Sequence, residues 1–170
     1  MNIPHDDELL DIVDADDHVI GQRLRSELYA NKQSNFRVIN AFIVNDKGQL
    51  WIPRRTADKR VYPLHLDVGV GGHVGAGETY QQAFAREVQE EINLNVEKHP
   101  YTDLGHFTPH QHNVSAFMHV YKITYNQTPP YNPHDFTEYY WLYPQEIIER
   151  ITTGEKAKGD LSKLIKLLFL

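Results

Sequence analysis

The sequence predicts an α/β (α+β) fold: one domain over residues 1–170, with helices packed on a mixed central sheet. Three observations predict it. Strand-length apolar runs alternate with segments of helical periodicity. No Pro-, Gly- or Ser-rich linker divides the chain. The closing segment GDLSKLIKLLFL carries Leu161, Leu164, Ile165 and Leu168 at the spacing of a core-facing helix. Hydrophobic residues make up 41% and charged residues 24%, an ordinary globular balance that argues against disorder and fibrous repeats.

Residues 1–35 read as an N-terminal hairpin-and-helix extension. Within it, LLDIVDADDHVIGQRLR gives two short strands about a turn at Asp14, Ala15, Asp16 and Asp17, and a short helix follows near Arg25 to Asn31. FRVINAFIVND is an almost continuous apolar run, the pattern of a strand buried on both faces. Asn45-Asp46-Lys47-Gly48 then turns the chain back into QLWIP. LHLDVGVGGHV reads as a further strand that feeds a helix, and NVSAFMHVYKITY as a long strand with mixed faces. After EYYWLYP come two helical stretches, PQEIIERI and the closing segment.

Composition excludes several functions. Without cysteine there is no disulfide framework, thiolate zinc site, iron–sulfur cluster or cysteine nucleophile. MNIPHDDELLDIV has no basic stretch before an apolar run, and no segment reaches bilayer-spanning length, so a cytoplasmic location is expected. A net charge of -6 offers no general attraction to nucleic acid or acidic membrane, so an anionic ligand needs a local basic pocket.

Residues 72–94, GHVGAGETYQQAFAREVQEEINL, concentrate the chemistry. Thr79 and Gln82 form a capping-box pattern at a helix start, and Asn93, which tolerates the left-handed conformation, can end the helix. Tyr80, Phe84, Val88 and Ile92 make an apolar stripe. Glu87, Glu90 and Glu91 share one sector of the wheel, with Glu87 and Glu91 beside Phe84 and Tyr80. A glutamate-rich helix is often only a solvated face, but here the acids border the core side. Converging oxygen donors at the edge of a buried face are what Mg²⁺ or Mn²⁺ requires, with waters and substrate phosphates completing the coordination.

This segment resembles the Nudix box, in which a glycine, five residues, Glu and seven residues precede Arg-Glu-apolar-x-Glu-Glu-x-Gly-apolar. Gly72, Glu78, Arg86, Glu87, Val88, Glu90, Glu91 and Leu94 fall in register, and Asn93 stands where the family has glycine. The order of elements from about Phe36 onward also resembles the Nudix α/β/α sandwich. The resemblance implies divalent metal held by Glu87, Glu90 and Glu91, with Glu78 and Arg86 paired to brace the loop. It also implies attack of water on phosphorus in a small-molecule diphosphate, with nucleoside di- or triphosphates and nucleotide derivatives as expected substrates. One further carboxylate, general base or extra ligand, is expected before a late strand: Glu138 by position, with Asp135 as the alternative.

Fixed cations are expected from PRRTADKR. Arg54 and Arg55 are candidate phosphate contacts, Lys59 and Arg60 weaker ones, and strand alternation lets only one of Arg54 and Arg55 point inward. His110 and His112 lack a third metal partner and read as a polar loop or substrate rim. Phe107, Tyr62 and Tyr131 could stack a base, though such aromatics are more often core. Residues 11–42 also resemble the N-terminal extension of isopentenyl-diphosphate isomerases, which share a Nudix-related fold. Gly71-Gly72-His73 stands where those enzymes have Cys-Gly-His, and of their metal-binding histidines only His73 matches, with Lys32 and Ile39 at the other two positions. Hydrolysis is therefore expected over isomerisation. A silent nucleotide-binding Nudix protein is the remaining alternative, and a homodimer stays open.

Overall fold

The computed structural model describes residues 7–170. Its elements are β1 (Leu9–Val13), β2 (Val19–Leu24), α1 (Arg25–Ala30), β3 (Arg37–Val44), β4 (Leu50–Arg55), β5 (Val70–His73) and α2 (Tyr80–Ile92). There follow β6 (Tyr101–Phe107), α3 (Pro109–His112), β7 (Phe117–Thr124), β8 (Phe136–Leu142), α4 (Pro144–Thr152) and α5 (Gly159–Leu168). Strands β1 and β2 form a two-stranded sheet, closed by Asp14, whose Oδ1 accepts from the amides of Asp16 and His18 at 2.9 Å each.

The main sheet runs β6-β7-β3-β4-β8. Strand β3 lies parallel to β7 along its whole length, and antiparallel β4 and β5 share its other edge, so the sheet is mixed. Strand β4 meets β3 only at Val44 and Leu50, whereas β5 takes Val38 to Ala41. The apolar run in β3 is buried on both faces because helices cover both. Ile39, Ala41 and Ile43 pack toward Phe84, Val88 and Ile92 of α2. Phe42, on the opposite side, packs with Leu161, Leu164 and Ile165 of α5 and Ile147 of α4. A third cluster of Leu10, Leu28, Phe36 and Ala116 seats the N-terminal extension against β7's approach. Among the described residues no helix is long and apolar enough to cross a membrane.

Three sequence expectations are revised. Strand β6 was not anticipated in YTDLGHF, because Gly105 (φ 135) sits where the pairing register shifts between Asp103 and Gly105, which breaks the alternation. His110 and His112, read as a polar loop or substrate rim, lie on the short α3, ahead of the strand that begins at Phe117. The strand read from Leu64 to Val74 contracts to Val70–His73, its earlier part being held by isolated bridges from Leu66 to Arg54 and Ala157.

Candidate active site

Helix α2 is fixed at both ends. Thr79 Oγ1 accepts from the Gln82 amide at 3.1 Å and the Gln82 side chain accepts from the Thr79 amide at 2.9 Å, a closed capping box. Asn93 ends the helix at φ 53, and its side-chain amide donates to Pro130 O at 2.7 Å. Phe84 stacks on Tyr121 with ring centroids 4.0 Å apart, which sets the rotation of the helix on the sheet.

That rotation leaves the acids at the helix edge, beside the loop that precedes it. Arg86 grips Glu78 with both arms, Nε to Oε2 at 2.7 Å and Nη2 to Oε1 at 2.9 Å, while Glu78 Oε1 also accepts from the Gly75 amide at 2.9 Å. Its remaining reach goes to His73 O at 3.0 Å, Glu87 at 2.8 Å and Glu90 at 3.3 Å. The guanidinium beside Glu78 holds that carboxyl below the usual range.

Glu87 is buried, and burial pushes its carboxyl up to about 7 against the opposing pull of Arg86. Glu91 is raised well above the ordinary value, first by burial and then by the charges of Glu87, Asp67 and Asp135. Among the described residues no hydrogen bond or ion pair reaches the Glu91 carboxylate. Arg86 answers Glu87 and Glu90 in part, no ion pair reaches Glu91 among the described residues, and the donor atoms of all three are hard oxygens, which fits Mg²⁺ or Mn²⁺ and not a softer metal. Glu87, Glu90 and Glu91 line one cleft of about 1360 Å³, together with Arg55, Asp67 and Asp135.

Strand alternation separates the other candidates. On β4, Trp51 faces the α2 side while Leu50 and Ile52 face the α4 and α5 side. Arg54 follows the second set: it pairs with Glu138, its cross-strand partner on β8, and with Glu155, and lies over the Tyr140 ring. The structure therefore does not bring Glu138 or Arg54 to the acidic cleft. Arg55 turns the other way and donates to Asp67 Oδ2 at 2.9 Å. Asp135, the alternative to Glu138, lines the cleft and pairs with Lys59 at 2.6 Å. Arg60 and Tyr62 also line it, Phe107 is buried, and Tyr131 packs against Trp51. His112 closes the start of α3 by accepting from the Thr108 amide at 3.0 Å, and His110 lies 5.9 Å from the Phe117 ring, neither in an acidic cluster.

Asp67 and Lys158 are among the cleft residues that escaped the sequence reading. Asp67 had a signal: it is the one charge inside the apolar run of LHLDVGVGG, and it is buried. His73 is likewise engaged, its Nε2 2.8 Å from Tyr29 Oη and its Nδ1 3.3 Å from Glu8, so the N-terminal extension reaches the cleft wall.

A glycine-cradled acidic helix on a mixed sheet between two helical layers is an architecture shared with known proteins. The NUDIX domain model matches residues 35–165, and the chain belongs to the Nudix family, whose enzymes hydrolyse pyrophosphate bonds. It is 53% identical over 162 residues to an uncharacterised Nudix hydrolase of Nostoc sp., covering 95% of this chain and 96% of that one. A Nudix hydrolase of Deinococcus radiodurans is 46% identical over 160 residues, covering 94% of this chain and 93% of that protein. A crystal structure of a Deinococcus radiodurans protein superposes with TM-score 0.91 at 43% identity, covering 96% of this chain and 100% of that one.

Proposed function

We propose that the protein is a divalent-metal-dependent pyrophosphohydrolase acting on a diphosphate linkage in nucleoside di- or triphosphates or nucleotide derivatives. The observation that carries this reading is the Glu91 carboxylate: half-buried in the cleft, crowded by Glu87, Asp67 and Asp135, and without a hydrogen bond or ion pair among the described residues. Glu87, Glu90 and Glu91 would hold Mg²⁺ or Mn²⁺, which supplies acidified water and neutralises charge on the phosphates when bound. Arg86, Glu78 and Gly72 fix where those carboxylates stand. Arg55 presents a guanidinium to phosphate oxygens in the cleft that holds the acids. In the reaction, the oxygen of water bonds to phosphorus as the bridging P–O bond breaks, and the proton lost by water needs an acceptor. Asp135, placed in the cleft, suits that role better than Glu138.

Turnover of a panel of nucleoside di- and triphosphates and nucleotide sugars with Mg²⁺ or Mn²⁺ tests the reading. Glu91→Gln is expected to keep the fold and lose metal affinity and at least about a hundredfold in kcat, the range of a group used in the transition state. Full activity in excess EDTA, or in Glu91→Gln, overturns it.

A further inference from the structure

Asp67 joins two cations that come from distant parts of the chain. Arg55, at the end of β4, donates Nη1 to Asp67 Oδ2 at 2.9 Å. Lys158, before α5, places Nζ 3.5 Å from Oδ1 of the same carboxylate. The carboxylate is buried, and its backbone is held on both sides. The Asp67 amide donates to Pro53 O at 2.9 Å, next to Arg54 and Arg55, while Leu66 exchanges bonds with Lys156 and Lys158 at 2.9 Å each. A buried Asp stitched to both neighbours is a fixed pivot.

The two cations are incompletely used. Arg55 spends Nη1 on Asp67 and Nε on Val61 O at 3.2 Å, and among the described residues Nη2 has no bond. Lys158 has an ion pair at 3.5 Å, beyond good hydrogen-bond length, so its ammonium protons remain available. Both side chains line the same cleft as Glu91, and Lys158 is the cation close enough to Glu91 to oppose its repulsion by the acids. Two donors around one carboxylate leave a local excess of one positive charge beside the expected metal ligands.

We propose that Arg55 and Lys158 form a two-cation receptor for the diphosphate of the substrate, and that Asp67 is the positioning residue that holds both in place. The receptor rests on the reading of the cleft as a diphosphate site, and adds to it a residue from the C-terminal helical layer. The guanidinium supplies a planar fork and the ammonium a point charge, so the two would engage different oxygens of one diphosphate. Asp67 gives each a reason to face the cleft and not the solvent.

The test is calorimetry with methylenediphosphonate, a diphosphate whose bridge cannot be hydrolysed, in the presence of Mg²⁺, alongside Mg²⁺ titration without it. Lys158→Ala is expected to weaken methylenediphosphonate binding about tenfold or more, as for a lost charge-assisted contact, and Lys158→Arg to retain most of it. Mg²⁺ alone should bind Lys158→Ala as tightly as wild type or more tightly, because a repelling charge beside Glu91 is gone. A merely structural lysine would move both affinities together or neither. Asp67→Asn should weaken methylenediphosphonate binding, and in the Lys158→Ala background should weaken it by less than in wild type, because only the positioning of Arg55 is then left to lose. Unchanged methylenediphosphonate affinity in Lys158→Ala, with wild type binding it in a Mg²⁺-dependent way, overturns the receptor alone. Failure of the wild type to bind it at all would bring down the diphosphate reading as well.

Discussion

At position 72 a single methyl group would be too much: a Cβ there would fall 2.2 Å from the Cδ of Glu87. Glycine at this point lets the carboxylate lie against the strand, so the motif's first residue acts on Glu87 by what it lacks. Arg86 works by what it joins, since one guanidinium ties the loop at Glu78 and His73 to the helix at Glu87 and Glu90. Glu78 has its folded pKa depressed below the ordinary 4.5, chiefly by the hydrogen bond from Arg86. A depressed carboxylate contributes stability that is present above its unfolded value and is lost as pH falls through the folded one. Arg86→Ala should therefore lower Tm near neutrality, and its gap from wild type should close as pH drops below 4.5. Thermal unfolding of both proteins across acid pH checks this, and a gap that stays constant would show that the brace is not electrostatic.

Among the elements, α2 was legible because its cues agreed: a capping box, an apolar stripe at helical spacing and an αL-tolerant Asn93 all marked the same span. Strand β6 was not, because Gly105 and the register shift remove the period that a strand normally shows. The site was legible where it lay on α2 and obscure where it was assembled from strands. The alternation rule says that one of Arg54 and Arg55 faces inward, but the choice depends on which residues of β4 meet which helix layer, and that is a tertiary fact. The same holds for Glu138, which by sequence position suited the cleft and in space pairs with Arg54. Arg55→Ala is expected to raise KM about tenfold or more, near 1.4 kcal/mol, through loss of a phosphate contact. Arg54→Ala should leave KM nearly unchanged and lower Tm, since it unties β4 from Glu138 and Glu155. Steady-state kinetics and melting of the two variants decide it, and the opposite pattern would mean that the faces are misassigned.

On the scale of the whole molecule, the extension is held by a clasp at the tip of its hairpin. Asp17, at φ 64, accepts from Arg37 Nε at 2.6 Å and Tyr80 Oη at 2.6 Å and meets His106 Nε2 at 2.9 Å, joining β3, α2 and β6 at one carboxylate. Replacing Asp17 by Ala strands these partners, at a cost of about 2 kcal/mol or more, and should lower Tm by roughly 4 °C or more. Differential scanning calorimetry measures that, and a Tm within a degree of wild type would show that the extension is seated by Leu10, Leu28 and Phe36 alone. The parallel pairing of β3 with β7 has a consequence in time. Asn40 and Met118 touch across 78 positions, and Arg54 and Glu155 across 101, so the central sheet is built from contacts whose loop-closure entropy must be met before they contribute anything. The cleft sits on those same strands, and Arg55, Asp67 and Lys158 meet only when they have closed. A half-folded chain then has no half-active site: on refolding, catalysis should return in one phase, together with the sheet's circular dichroism and no sooner.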